Sequence, residues 1–186
     1  MSDRTPTKTF GLKTPSDLHH KLVHDISRLR SATSSDDAKY AAFDCAVDAW
    51  HLTDWVLHAV SDTDHLRLSG RRRHSKDATF RFTAENSARL PALEFCRQIA
   101  NSVKHVVVTR GDRMEGMSTG ATVRFDPPFC PNEPETWKKV GIHILTYIEV
   151  DDQRYDVIEL FEDMASQWYE FLVAEGLFVA RYFGDE

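Results

Sequence analysis

This 186-residue chain has little cysteine, no long apolar run and no excess of positive charge, and each shortage excludes a class of protein. Its three cysteines, Cys45, Cys96 and Cys130, are odd in number and lack the C-x-x-C spacing of a zinc knuckle. We therefore expect no disulfide framework, and a reducing compartment such as the cytoplasm fits best. The formal net charge of −6 argues against a protein that coats DNA, because phosphate binding needs a basic surface.

No apolar segment reaches the roughly 18 residues that a membrane-spanning helix needs, so we expect no membrane association. The N-terminal segment lacks the apolar centre of a secretory signal, and we interpret 1–14 as a flexible tail. Phosphate-binding loops, dinucleotide fingerprints and nucleophile elbows are absent as well. With 41% hydrophobic and 28% charged residues, the remainder, 15–180, suits a single globular domain.

The first half of the chain shows the spacing of helices. A capping signal at 14–17 precedes leucine and isoleucine at helical intervals, which predicts a first helix that ends near Arg30. A second helix is expected over 36–60 and a third over 90–105. The polar segment between them shows no periodicity and is expected to be a long loop. These three helices would form a bundle over 16–107.

In the second half of the chain the apolar period changes to two. Apolar and polar residues alternate over 121–125, which predicts a half-buried strand, and a longer strand is expected over 140–150. The tetrapeptide 151–154 favours a hairpin turn. We therefore expect a β-rich part over 117–157 and a C-terminal helix over 158–175. The fold class predicted is α+β, with a small antiparallel sheet packed against helices.

The second predicted helix is apolar around most of its circumference, and a narrow polar stripe interrupts it. A helix of this kind contacts neighbours on several sides, so charged groups on it need partners. Three interpretations stay open: a solvated face, a buried polar network completed by another helix, and a metal or small-ligand site that uses Asp48, His51, Asp54 and His58. The whole stripe consists of Asp44, Asp48, His51, Asp54 and His58.

One face of the third predicted helix carries Arg97, Asn101 and His105 at intervals of four residues, with Lys104 beside them. The planar arginine cation can clamp a phosphate, the amide can position a substrate, and the imidazole can transfer protons near neutral pH. Such groups can cleave RNA without a metal, because a base activates the ribose 2′-hydroxyl while a cation stabilises the charged phosphate. The alternative is an ordinary solvated helix face.

A run of basic residues lies in the predicted loop between the second and third helices. It comprises Arg71, Arg72, Arg73 and Lys76. Clustered cations of this kind can bind RNA or phosphate, and they can equally make a loop tip soluble. Both interpretations stay open on the sequence alone.

Two segments resemble a group of small, uncharacterised bacterial proteins of similar length: Trp50-His51-Leu52-Thr53-Asp54-Trp55 and Ala100-Asn101-Ser102-Val103-Lys104-His105. More distantly, Arg97, Asn101 and His105 late in a helical hairpin are similar to the signature of HEPN domains. This resemblance covers roughly 16–107 and implies a helical, often dimeric, metal-independent ribonuclease of toxin or defence systems. The chain departs from that signature, because seven residues separate Arg97 from His105, one more than the signature normally allows.

The leading hypothesis is a HEPN-like ribonuclease or nucleotide-handling protein without a cofactor, with RNA or a nucleotide as partner and a homodimer or protein partner also compatible. In its catalytic set, His105 would transfer protons, and Arg97 and Lys104 would bind phosphate. Asn101 would position the substrate, and His51 and Asp54 would support these groups. The second and third helices must then pack antiparallel, with His51 within about 12 Å of Asn101 or His105. The competing hypotheses are a non-catalytic interaction protein, whose cluster fixes helix packing, and a metal- or small-ligand-binding protein.

Overall fold

The computed structural model describes residues 9–104, 116–126, 132 and 141–180, with only the backbone described at Val103, Lys104 and Ile142. The described residues form six helices and three strands, which confirms the predicted α+β class. Most of the predicted tail, Cys130 and His105 lie outside them. In chain order the elements are α1 (Pro15–Arg30), α2 (Ser35–Ala59), α3 (Asp62–Ser69), α4 (Ala78–Glu85), α5 (Leu93–Lys104), β1 (Ser118–Asp126), β2 (Gly141–Val150), β3 (Gln153–Asp156) and α6 (Val157–Ala174).

Helix α1 begins at the predicted capping signal. The Asp17 amide donates to Thr14 Oγ1 at 3.1 Å, and the Thr14 amide donates to the Asp17 carboxylate at 3.0 Å. This reciprocal capping box satisfies two amides that the first helical turn would leave unpaired. Pro15 fills the first helical position, where a missing amide hydrogen costs nothing. The buried leucines of α1, including Leu22, pack against α2.

Helix α2 lies at the centre of the fold. It packs against α1, α5, α6, β1 and β2, and also against the short helices α3 and α4. Ala41, Ala46 and Ala49 are buried on it, and their small side chains let neighbouring elements approach closely. Ser34 caps its start by accepting a hydrogen bond from the Asp37 amide at 3.1 Å. The prediction of a second helix that is surrounded on several sides is confirmed.

The prediction of one long loop between the second and third helices is wrong, because α3 and α4 occupy most of that segment. Each of these helices has 8 residues, about two turns, which is too short for an apolar period to be recognised. Gly70 ends α3 in the left-handed conformation, with φ of 62°. Leu68 and Phe82 anchor the two helices in the core. Helix α5 follows, starting at Leu93 instead of residue 90.

The three strands form an antiparallel sheet in the order β1–β2–β3. Asp151 and Asp152 connect β2 to β3 with φ of 48° and 65°, the conformation that two-residue hairpin turns require. The predicted hairpin is therefore confirmed, but its turn has two residues instead of the four expected, since Gln153 and Arg154 already belong to β3. Strand β1 is also confirmed, but its Val123 and Phe125 are exposed among the described residues instead of lying on a buried face.

Helix α6 completes the hydrophobic core. Its Trp168 is fully buried, and the ring of Phe82 stacks on it with centroids 6.0 Å apart. Gly176 ends the helix with φ of 67°, and the Leu177 amide donates to the Leu172 carbonyl at 2.8 Å. This is the Schellman arrangement, and it confirms the predicted stop at glycine. Across the described ranges, every helix is too short or too polar to cross a bilayer.

Candidate functional site

The polar stripe of α2 divides between the interior and the surface. Asp48 is only 5% exposed, whereas Asp54 and His58 are exposed and His51 is half-buried. The exposed residues Asp54 and His58 therefore form a solvated face, whereas Asp48 belongs to a buried polar network. That network is completed from α1, where no site residue was predicted.

Lys21 of α1 joins two buried carboxylates. Its Nζ donates to Asp25 at 2.7 Å and to Asp48 at 2.7 Å. Arg28 adds a hydrogen bond from Nη1 to Asp25 at 2.8 Å. Asp25 is 3% exposed, whereas Lys21 and Arg28 are partly exposed, so the two cations lie between the carboxylates and water. We call Lys21, Asp25, Arg28 and Asp48 the α1–α2 ionic cluster.

The two carboxyl groups of the α1–α2 ionic cluster, Asp25 and Asp48, differ in pKa. Burial favours the neutral form of Asp25, but hydrogen bonds from Lys21 and Arg28 outweigh it and lower the pKa to about 2. Burial dominates at Asp48, and the nearby Asp25 adds to it, so the pKa of Asp48 rises to about 6 in spite of Lys21. Near pH 5 Asp25 is therefore ionised while Asp48 carries a proton.

The metal interpretation of the stripe has no geometric support. Over the described ranges, no three His, Cys, Asp or Glu side chains are grouped so that they could hold a metal ion. That statement covers Asp48, His51, Asp54 and His58. The chemistry available to the α1–α2 ionic cluster is the fixing of one helix against another, because each buried acid already has a cation partner.

Arg97 lies in the interior and not on a solvated helix face. It is 4% exposed, and its guanidinium donates to Glu94 from Nε at 2.8 Å and from Nη2 at 2.5 Å. The same guanidinium lies 5.1 Å from the centroid of the Phe80 ring. Gln98 donates to Glu94 at 2.8 Å as well. A bidentate ion pair with Glu94 thus neutralises Arg97, the cation to which the ribonuclease hypothesis assigns phosphate binding.

The other residues of that hypothesis are placed only in part. Asn101 is half-buried near the end of α5, Lys104 is described by its backbone alone, and His105 lies outside the described residues. Helix α5 does pack against α2, as the hypothesis requires. The convergence of His51 and Asp54 with this end of α5 stays a prediction.

The position along α2 at which α5 packs is relevant to the predicted convergence of His51 and Asp54 with α5. Ile99 of α5 lines the same cavity as Lys39, Ala42 and Phe43 of α2. His51 follows Phe43 by eight residues, which corresponds to about 12 Å along the helix axis. The shared cavity therefore places Ile99 of α5 beside the first half of α2.

Arg73 has a structural role in the basic run. Its Nη2 donates to the Val60 carbonyl at 2.6 Å, its Nη1 donates to the Leu57 carbonyl at 3.2 Å, and its Nε pairs with Asp62 at 2.5 Å. Carbonyls at the end of a helix have no partner within the helix and carry partial negative charge. Arg73 therefore caps the carboxyl end of α2.

The remaining basic residues divide into one paired and two solvated cations. Arg71 Nε pairs with Asp77 at 2.8 Å. Arg72 and Lys76 are exposed, and neither forms an ion pair with another residue that the structure describes. Of the four residues predicted to bind nucleic acid, these two thus present a charge to solvent. A nucleic-acid patch in this segment stays a prediction.

A cavity of about 160 Å³ lies between α2, α5, α6 and the sheet. Thr146 of β2 lines it and is 6% exposed, and its Oγ1 finds no hydrogen-bond partner among the described residues. Lys39 also lines it, with a side chain that is 54% exposed. The apolar wall consists of Ala42, Phe43, Ile99, Ile148, Val157 and Phe161.

No motif in the sequence indicates this cavity. The available signal was Thr146, a hydroxyl that shares the inward phase of an otherwise apolar strand with Ile144 and Ile148. A polar residue at a buried strand position needs a partner, and such a position is therefore informative.

Comparison of the chain with protein-family models, curated protein sequences and solved structures gave no match. The fold and the site therefore define the class by themselves: an α+β protein with a central, densely surrounded helix, a buried ionic cluster and an apolar cavity. The similarity to HEPN domains stays a prediction that rests on Arg97, Asn101 and His105 alone.

Proposed function

We propose that this chain is a non-catalytic binding protein, in which buried ion pairs fix a helical frame around the cavity. The observation that carries this proposal is the state of Arg97, which is held by Glu94 and covered by Phe80. An arginine that is 4% exposed reaches a substrate phosphate only if its pair with Glu94 breaks and the guanidinium leaves the interior.

The α1–α2 ionic cluster supports the same conclusion. Lys21 and Arg28 neutralise Asp25, and Lys21 also bonds Asp48, so the acids and cations of this region are engaged with one another. Ion pairs between two packed helices select one relative position of the helices. The cavity, by contrast, has a largely apolar wall and is the feature best suited to a ligand.

The metal-independent ribonuclease remains the competing proposal. The packing of α5 against α2 favours it, because the catalytic set needs these two helices in contact. His105 would then transfer protons beside Asn101 and Lys104, and Arg97 would have to exchange Glu94 for a phosphate.

An RNA cleavage assay separates the two proposals. The full chain, H105A and R97A are incubated with end-labelled single-stranded RNA in the presence of a chelator, and their melting temperatures are measured in parallel. We expect no cleavage by any of the three proteins and a lower melting temperature for R97A alone. The matched control is R72A, which removes an exposed arginine and should leave stability unchanged.

The opposite result is equally clear. Cleavage that survives the chelator, disappears in H105A and leaves the melting temperature of H105A unchanged would establish the ribonuclease and overturn our proposal. Only H105A is decisive for catalysis, because R97A removes a buried ion pair and alters stability in either case.

A further inference from the structure

Residues 177–180 follow Gly176, where the chain leaves α6, and contact the first turns of α1. We call these four residues the C-terminal strap. We propose that the C-terminal strap is an acid-released closure over His19, which opens when this imidazole takes up a proton. The proposal rests on how the strap is held, on the surroundings of the imidazole, and on which of its neighbours can move.

Ser16 holds the C-terminal strap to α1. Its Oγ donates to the Val179 carbonyl at 2.9 Å and accepts from the Val179 amide at 3.1 Å. The Phe178 ring adds an edge-to-face contact with Tyr169, with centroids 4.7 Å apart. Because these contacts lie beyond the end of α6, their loss does not require the helix to unfold.

The imidazole of His19 is buried in its neutral form. The residue is 5% exposed, and its Nε2 lies 2.9 Å from the Ala165 carbonyl of α6. A carbonyl only accepts, so Nε2 carries the hydrogen and Nδ1 carries none. Nδ1 is buried and has no hydrogen-bond partner. A proton added at Nδ1 would therefore create a buried cation with a donor that no acceptor satisfies.

This environment sets the direction in which acid acts on the strap. Burial lowers the pKa of His19 below its ordinary value of about 6.5, although the hydrogen bond to the Ala165 carbonyl acts in the opposite direction. The closed state thus prefers the neutral imidazole. Its stabilisation is complete above about pH 6.5 and decreases as the pH falls below that value.

Three rings border the His19 imidazole, and they differ in how freely they can move. The centroid distances are 6.1 Å to His20, 6.2 Å to Tyr169 and 6.0 Å to Phe178. His20 lies on α1 and Tyr169 on α6, so packed helices fix both. Phe178 belongs to the C-terminal strap. Release of the strap is therefore the smallest movement that gives the protonated ring access to water.

Other ionisable groups face His19 from both helices. His20 lies beside it on α1, and Tyr169 lies on α6, where Glu162 one turn before the contact with α1 pairs with Arg30. The strap itself has no ionisable side chain. The α1–α2 ionic cluster lies on the opposite face of α1, roughly 180–240° around the helix. His20 is therefore the alternative proton acceptor that the experiment must exclude.

Amide hydrogen exchange of the full chain, followed by NMR at about pH 7.5 and about pH 5.5, tests the proposal. Each exchange rate is divided by that of an unstructured peptide at the same pH, which gives a protection factor. We expect the protection factor of the Val179 amide to fall by up to about tenfold at the lower pH, because opening takes up one proton. The Leu177 amide, which donates to the Leu172 carbonyl at the end of α6, should keep its protection.

Three variants assign the response. His19→Gln keeps a side-chain N–H donor and cannot ionise, so its Val179 protection factor should be the same at both pH values. His20→Gln is the matched control on the same helix and should respond to pH as the wild type does. Ser16→Ala removes the hydroxyl that holds Val179 and should abolish most of its protection at both pH values.

Several outcomes would overturn the proposal. One is a Val179 protection factor that does not change with pH in the wild type. Another is a response that persists in His19→Gln or disappears in His20→Gln. Loss of protection at Leu177 and at core amides such as Trp168 together with Val179 would mean that acid unfolds the molecule instead of releasing the strap. The comparison of Val179 with Leu177 in the wild type holds even if a variant fails to fold.

Discussion

Burial disfavours the ionised form of the Asp48 carboxyl group and so raises its pKa. Its pKa of about 6 lies above the roughly 3.9 of an aspartate in an unfolded chain, so the folded state binds this proton more tightly. The resulting contribution to stability is complete below the unfolded pKa and is lost as the pH rises through 6. Asp25 behaves in the opposite way, because its lowered pKa stabilises the fold above the unfolded pKa.

The first prediction concerns Asp48→Asn, which keeps the shape of the protonated acid and cannot ionise. Relative to the wild type, this variant should gain about 1–2 kcal/mol in free energy of unfolding between about pH 5 and about pH 7.5. Urea denaturation at several pH values measures the difference. Asp36→Asn on the same helix is the control, since the Asp36 side chain is 73% exposed. A difference that does not vary with pH would contradict the assignment of the proton to Asp48.

At the scale of secondary-structure elements, the carboxyl end of α2 depends on a residue outside the helix. Arg73 bonds the Leu57 and Val60 carbonyls and pairs with Asp62 of α3. Arg73 thus provides hydrogen-bond donors for carbonyls at the end of α2 and also holds Asp62 at the start of α3. Such charge-assisted bonds are stronger than neutral ones, and the neighbouring helix end adds a favourable charge interaction.

Arg73→Ala should therefore lower the free energy of unfolding by about 1–2 kcal/mol. Arg72→Ala, next to it in the chain but exposed, should change stability by less than about 0.5 kcal/mol. Thermal denaturation of both variants measures the contrast. Equal losses in the two variants would show that Arg73 acts as a surface charge and not as a cap.

Elements that span three or more turns were predictable from the sequence, and shorter ones were not. The apolar residues of α1, α2, α5 and α6 recur at helical intervals for long enough to define a buried face. Helices α3 and α4 have 8 residues each, and the basic run obscured the end of α3. The hairpin was predictable because aspartate tolerates the positive φ of its turn.

The candidate sites were predictable only where one element defines them. The sequence placed Asp48 on a helix that needs polar partners, but its partner Lys21 lies 27 residues away. Periodicity identifies the face of each helix without showing which faces meet. The spacing of Lys21 and Asp25, four residues apart on α1, was the available signal. Arg97 was misplaced for a related reason, since Glu94 one turn away lets an arginine enter the core.

At the scale of the whole molecule, a single core connects the helices. One cluster of buried apolar residues draws on all six described helices and on β2. Glu175 links two arginines at the edge of this core: it accepts hydrogen bonds from Arg67 at 2.5 Å and from Arg89 at 2.8 Å. Two arginines from other parts of the chain therefore meet at the end of α6.

We expect this single core to unfold in one cooperative transition. Far-ultraviolet circular dichroism reports the helices, and tryptophan fluorescence reports sites such as the buried Trp168. The two signals should give the same denaturant midpoint within error. Separate midpoints would show that the helices do not unfold as one cooperative unit.

The alanine-rich interior of α2 has a consequence for how this sequence can change over time. Ala41, Ala46 and Ala49 are buried where the helix is surrounded, so added methyl groups there would force elements apart. Drift should instead collect at outward positions such as Tyr40 and Asp54. Among descendants of this chain, we expect the middle of α2 to record the slowest change in side-chain volume.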